Sequence, residues 1–598
     1  MNYSLTWDLD VFFEGGSDSK EFAGHLSRLD KSLVEFKSLV AEWNPTSEAK
    51  DTDIIKHILG RFTEIGASLR QAGAFVGCLE AQNTKDARAR EHRVKITGLS
   101  ADFSIALNGF DVKLAKLDEQ FFQTVLKDKE LRVLRFVLEE RREKVMDKLS
   151  VEEEALISQL AVDGYHGWGQ MYDILVSSVK VAVEEKGQMK ELSVGQAFNK
   201  FSDPDRTVRQ KVFKSWEKAW SEKADLFADT LNHLSGFRLS VYQKRGWDDV
   251  LKEPLEYNRM SRETLHSMWS AIAEQKAPLV QYLKRKAELL GVEKLSWYDL
   301  DAPLAESAEV MPYQEGADFI LKQFSKFGKE LAGFTKKAFE ENWIEAEDRE
   351  DKAPGGFCTG FPESSQSRIF MTYSGTPSNV STLAHELGHA FHSYALKDSH
   401  FLNRNYAMNV AETASTFAEL IVADAAVREA GSAEERLALL EDKVQRTVAL
   451  LMNIHARFLF ETAFYEERKI GVVGAARLNE LMENAQKEAY AEALEEYHPE
   501  FWASKLHFFI TGVPFYNFPY TFGYLFSLGI YKKAMDEGEQ FEQKYIKLLQ
   551  DTGSMKVEDL AQKHLGVDLT KRGFWDDAVA MCMKDVEEFL ELTEAKLH

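Results

Sequence analysis

Two histidines four residues apart, with a glutamate beside the first, are the residues of this chain best suited to chemistry: His385-Glu386-Leu387-Gly388-His389. On a helix such histidines lie one above the other about 6 Å apart, so both imidazoles can reach one Zn²⁺. Glu386 sits about 100° round the helix from His385, where its carboxylate can reach a metal-bound water. A match to this five-residue pattern arises by accident in roughly a few of every hundred such chains. Its surroundings argue against accident. Leu383, Ala384, Leu387, Ala390, Phe391 and Tyr394 make the helix a buried one, and buried imidazoles need partners. Gly388 lowers helix propensity and offers no packing, which fits something approaching the backbone closely.

A catalytic zinc site takes three protein ligands and keeps one position open. Glu412 is the best third ligand. It lies 23 positions after His389, beyond a stretch (397–404) in which the chain can reverse. Its neighbours Val410, Ala411 and Ala414 make an unpaired carboxylate costly to bury there. Glu419, seven residues on, returns to the same face and could orient a ligand histidine. His392 lies about 10 Å along the helix axis from His385, too far to complete that site, and reads as supporting or structural.

These side chains need a body to hold them, and proline placement gives its outline. Of 12 prolines none falls between Pro45 and Pro204, or between Pro377 and Pro499. Proline costs about 3 kcal/mol inside a helix, so both stretches are free to be long helices. Leu33, Phe36, Leu39, Val40 and Trp43 recur at helical steps, as do Leu131, Leu134, Val137 and Leu138. The expectation is a mainly α-helical protein. Strand signals are confined to 175–182, 355–359 and 368–374, the last two predicting one small sheet beside the metal helix. That helix should start near Ser378 or Asn379, either of which could cap it. A turn cluster at 201–206 divides the chain into an N-terminal helical domain, 1–200, and a catalytic domain, 201–598. A second break is expected over 303–312.

Two further segments suit substrate contact. Gly355, Gly356, Phe357 and Cys358 suggest an edge strand to which an extended peptide could add main-chain hydrogen bonds. Cys358 reads as a small packing residue, since no histidine pairs with it. Gly512, Pro514, Pro519 and Gly523 predict a loop over 511–523 carrying several aromatics, whose phenols could donate hydrogen bonds to bound substrate.

With 598 residues the chain holds about four domain-sized units, or fewer large lobes. Its 74 Lys+Arg against 97 Asp+Glu leave a net charge of −23. So acidic a surface argues against binding nucleic acid or an anionic membrane. Three cysteines, an odd count, fit a reducing compartment. The N-terminus lacks a signal-peptide pattern and no run of about 18 apolar residues occurs. A cytoplasmic location is expected. No pattern speaks to oligomeric state.

The run from His385 to His392, with Ala411-Glu412-Thr413-Ala414-Ser415, resembles the oligoendopeptidase F group of the thimet-oligopeptidase family of zinc peptidases. Gly355–Cys358 with the run from Phe370 to Gly375, residues 507–527, and the opening Trp7-Asp8-Leu9-Asp10 support the likeness, which is loosest in the N-terminal third. The resemblance implies a two-lobed helical body with a deep channel that admits short unstructured peptides. It implies one zinc per chain on His385, His389 and Glu412, with Glu386 as general base acting on the zinc-bound water. It also implies that a histidine and tyrosines of a late loop contact the substrate and the developing oxyanion. The matching positions are His507 and Tyr524, with Tyr516 or Tyr520 between them, Tyr516 preferred. Two rivals from other classes are a helical binding scaffold with a structural zinc, marked by a fully protein-ligated site, and an exopeptidase, excluded by cleavage of a peptide blocked at both ends.

Overall fold

The proline-free stretch after Pro45 folds as long helices in a computed structural model that describes residues 2–185, 187–304 and 310–594. α1 (Lys20–Glu42) starts where the Ser19 hydroxyl accepts the Phe22 amide, and it buries Phe22, Leu26, Leu29, Leu33, Phe36 and Val40 on one stripe. α2 (Ala49–Gln82) and α3 (Ala87–Ala115) pack with it, and α4 (Arg135–Met146) packs on α3. Leu131, Leu134, Val137 and Leu138 all enter their shared core. So does Leu402, from the segment between the metal-motif helix and Glu412. Its neighbour Phe401 lies over Gly66 of α2, where a methyl group would be 2.6 Å from the ring. The N-terminal helices thus hold the chain reversal that presents Glu412.

β1 (Val181–Glu185) and β2 (Gln188–Leu192) form an antiparallel hairpin. Of the strand expected over 175–182, only the end is extended. Residues 167–178 are helical, because that conformation buries Tyr172 and Leu175 together. The second sheet contains β3 (Ile344–Glu345), β4 (Phe357–Phe361) and β5 (Gln366–Phe370) in the order β3-β5-β4. β3 runs parallel to β5 and β4 antiparallel to it, which leaves β4 with an unpaired edge. Gly355 and Gly356 precede β4 rather than belong to it. Gly355 has φ +90°, a left-handed turn that suits glycine, and a Cβ on Gly356 would lie 3.2 Å from the Phe370 carbonyl. The opening segment clamps this sheet from outside. Trp7 packs on Phe357 and Phe370, and the buried Arg368 guanidinium donates to the Asp8 carbonyl at 2.8 and 2.9 Å.

The metal-motif helix, α5 (Pro377–Ala395), begins one residue earlier than expected. Thr376 caps it in a reciprocal box with Asn379, and Pro377 takes the first turn, where its missing N–H costs nothing. α6 (Thr413–Glu429) packs directly on it, α7 (Ala433–Val448) and α8 (Phe518–Glu537) pack on α6, and α9 (Arg572–Glu594) packs on α7 and α8. They contribute to the largest apolar core among the described residues, which reaches from Tyr172 to Phe589. The break expected over 303–312 includes 305–309, outside the described residues. No described helix is long and apolar enough to cross a membrane.

Candidate metal centre

Glycine sets the distance between the helices of the site. A Cβ on Gly388 would meet the Ala414 carbonyl oxygen at 2.4 Å and Ser415 Cα at 2.6 Å, so α5 and α6 cross backbone to backbone. On the far side, a Cβ on Gly523 of α8 would lie 3.0 Å from the Asn409 carbonyl and 3.3 Å from Glu412 Cβ. Glu412, the residue just before α6, is held between these two close approaches.

The result is a convergence of three ligand atoms. Glu412 Oε2 lies 3.2 Å from His385 Nε2 and 3.4 Å from His389 Nε2. The Ser415 hydroxyl donates to the same oxygen at 2.8 Å. Behind His385, Glu419 Oε2 lies 3.2 Å from Nδ1, and Arg446 of α7 grips the other oxygen of Glu419. A ring that gives its Nδ1 proton to Glu419 is left with Nε2 as its electron-pair donor. Burial works against a charged His385, but Glu412 and Glu419 outweigh it and raise its pKa to about 10. Burial likewise opposes a charged Glu412, yet the two histidines hold its carboxyl far below the usual range. Such a pull on a proton marks a place where a cation would be stabilised. Two imidazole nitrogens and one carboxylate oxygen are a donor set that fits Zn²⁺.

Glu386 stands apart from these ligands. It is buried, its Oε2 has no hydrogen-bond partner among the described residues, and its Oε1 would lie 3.7 Å from a Cβ on Gly356 at the head of β4. Burial raises its pKa, against the pull of His389 and His385. His392 is fully buried on the other side of α5. It stacks on Tyr406 at 4.1 Å between ring centroids, and its Nε2 lies 2.9 Å from Thr552 Oγ1.

Residues 201–581 match the Peptidase family M3 model, and residues 113–180 match one described as Oligopeptidase F. The chain belongs to peptidase family M3. An oligoendopeptidase F homolog of Lactococcus lactis subsp. lactis is 24% identical over 99% of this chain and 98% of its own length. A solved structure of a putative peptidase from Chlamydophila abortus superposes with a TM-score of 0.84, at 20% identity, covering 98% of each chain. An oligoendopeptidase-F from Enterococcus faecium gives 0.71 at 19% identity, over 97% of this chain and all of that one. The protein is therefore a peptidase with the fold of the oligoendopeptidase F group.

Within that M3 frame the late aromatic segment is arranged differently from expectation. The loop ends at Asn517, and α8 starts at Phe518 with Pro519 in its first turn. His507 sits edge-on to Tyr516 and Tyr520, with ring centroids 5.5 and 6.2 Å away. Burial, Arg457 and Lys505 lower its pKa to about 4, so the ring is neutral at pH 7. Tyr520 is raised by burial, by neighbouring Tyr516 and by nearby Glu412. Tyr524 is held differently. It is buried, with its hydroxyl 3.0 Å from Thr447 Oγ1 and 3.8 Å from the Cys582 thiol, committed to the packing of α7, α8 and α9. At the sheet, the Phe357 ring is engaged with Trp7 and Phe370. The Cys358 thiol is pushed well up by burial and by Glu386, which keeps it protonated.

Arg446 and Ser415, which hold Glu419 and Glu412, were missed as site residues. Ser415 lay within the quoted motif, whereas nothing in the sequence singles out Arg446. A second convergence, Glu217, His498 and Glu500, also has ligand-like spacing. There the Trp216 indole donates to His498 Nε2 at 3.0 Å, which places the ring proton on Nδ1, facing Glu217. That nitrogen is not available to a cation.

Proposed function

We propose that the protein is a zinc-dependent endopeptidase that hydrolyses internal bonds of short unstructured oligopeptides, with water as nucleophile and Glu386 as general base. The observation that carries this reading is the meeting of His385 Nε2, His389 Nε2 and Glu412 Oε2, beside a buried carboxylate with an unpartnered oxygen. Zinc held by those three residues would supply Lewis acidity toward the scissile carbonyl and would acidify a water. Glu386 takes the proton of the attacking water on its free oxygen and returns it to the leaving amine. Its raised pKa suits both transfers. The neutral His507 ring and the Tyr516 and Tyr520 hydroxyls donate to the oxyanion as it develops. The unpaired edge of β4 aligns the peptide main chain. Glu419, fixed by Arg446, sets the tautomer and aim of His385.

Residues 1–200 form an N-terminal helical domain and 201–598 the catalytic domain, as two lobes flanking a channel, in a cytoplasmic protein. The channel keeps folded proteins out and makes short peptides the substrates. Digestion of a doubly blocked peptide mixture, read by mass spectrometry with and without a zinc chelator, tests the assignment. Internal cleavage abolished by the chelator supports it, and chelator-resistant cleavage or none overturns it.

A further inference from the structure

A cavity of about 1300 Å³ opens between α2, α3 and α4 on one side and residues 401–408 on the other. Its walls contradict the charge of the chain. Seven Lys or Arg line it against three Asp or Glu, in a protein of net charge −23. Some of that charge is neutralised locally, Arg141 by Asp111 at 2.8 Å and Arg259 by Glu140 at 2.8 Å. Arg70, Lys116 and Lys148 have no carboxylate within ion-pair distance among the described residues, so the excess is positive and unspent.

Arg70, on α2, is the member whose charge reaches side chains that also feel carboxylates of the metal centre. It is exposed, and it borders both this cavity and a smaller pocket that runs between β4 and the C-terminal half of α5. Its guanidinium lies close enough to bias Tyr406 and Cys358, the same two side chains that feel Glu412 and Glu386 respectively. Arg404, beside it, spends its own donors on the carbonyls of Ser399 and Lys397 at 3.0 and 2.7 Å. Arg70 has no hydrogen-bond acceptor among the described residues. A planar, permanently charged fork left open at the rim of a site suits a carboxylate, which it can hold through two parallel hydrogen bonds.

We propose that Arg70 anchors a carboxylate of the bound peptide, with the basic wall behind it drawing acidic peptides into the cavity. This rests on the peptidase reading above and adds a charge preference to it. The carboxylate is that of the peptide's C-terminus or of an Asp or Glu side chain. Arg70 is a binding residue and takes no part in the proton transfers.

Direct binding separates the two readings. In the Glu386→Gln background, fluorescence anisotropy compares three labelled peptides of one sequence: a free acid, its C-terminal amide, and the amide with one internal Gln changed to Glu. Whichever carboxylate source is correct should bind about tenfold tighter than the plain amide, as one charge-assisted pair provides. That preference should collapse toward unity in Arg70→Gln, survive in part in Arg70→Lys, and shrink as salt rises from 0.05 to about 0.5 M. A preference for the free acid identifies the C-terminus, and one for the internal Glu identifies a side chain. Equal binding of all three peptides, or a preference that Arg70→Gln leaves intact, overturns the proposal. Failure of the wild-type protein to cleave any peptide would sink the peptidase reading while these affinities still decided the role of Arg70.

Discussion

Replacing Gly388 with alanine puts a methyl group 2.4 Å from the Ala414 carbonyl oxygen and 2.6 Å from Ser415 Cα. Both are backbone atoms, so no side chain can swing aside. Reaching the ordinary contact limit of 3.4 Å requires α5 and α6 to part by about 1 Å (3.4 − 2.4). Glu412 directly precedes α6, so the same movement carries its carboxylate off His385 and His389. Overpacking of this kind costs about 1–3 kcal/mol. Helix propensity pulls the other way, since alanine exceeds glycine by about 1 kcal/mol inside a helix. The control is Gly60→Ala on α2, where a Cβ would meet nothing within 4 Å. There the propensity gain stands alone, and urea unfolding should show stabilisation of about 0.5–1 kcal/mol. Gly388→Ala should be neutral to destabilised by about 2 kcal/mol on the same scale, and chelator competition should show zinc affinity lowered at least tenfold. The reasoning is refuted if Gly388→Ala is stabilised as much as Gly60→Ala and binds zinc as tightly as wild type.

Other outcomes follow from the same geometry. Arg446→Ala should release Glu419 and loosen His385, lowering zinc affinity about 10- to 100-fold in chelator competition; unchanged affinity would remove Arg446 from the site. Tyr520→Phe or Tyr516→Phe should lower kcat about 10- to 1000-fold with little change in KM, whereas Tyr524→Phe should change kcat less than about threefold, because its hydroxyl is held by Thr447 and Cys582. A larger loss for Tyr524→Phe than for both others would reverse that assignment. Burial raises Glu217 to about 7 and, with help from Glu217, Glu500 to about 8. Carboxyls raised on folding stabilise fully below their unfolded pKa near 4.5, and that contribution is lost as pH climbs through the folded values. The melting-temperature advantage of wild type over Glu500→Gln should therefore shrink between about pH 5 and 8; parallel curves would refute the pairing.

Much of this architecture was legible because it rests on local rules. Missing prolines and helical spacing located α1 and the helices around Leu131–Leu138, whose apolar residues are buried as the pattern requires, Leu39 only in part. The spacing of His385 and His389 needed only a helix to become a pair. Glu412 was legible because a carboxylate among small apolar residues has to be explained. Misreadings arose where a local rule has two outcomes. Pro519 reads as a loop residue by its breaking of helices, yet proline is at ease in the first turn of a helix, where it begins α8. The same holds for Pro377, which moved the cap of α5 to Thr376. β2 is exposed along most of its length and so carries no alternation to read. Gly523 looked like a breaker, but it serves close packing within a helix. Arg446 acts through Glu419, a neighbour far along the chain, and a single sequence does not display such pairings.

The central claim is that three side chains hold one zinc while Glu386 moves the proton. Metal content and hydrolysis of a doubly blocked peptide, measured together on wild type and Glu386→Gln, address it directly. One zinc per chain in both proteins, with cleavage lost only in the variant, is the predicted result. Cleavage retained by Glu386→Gln, or wild-type turnover without bound metal, would contradict it.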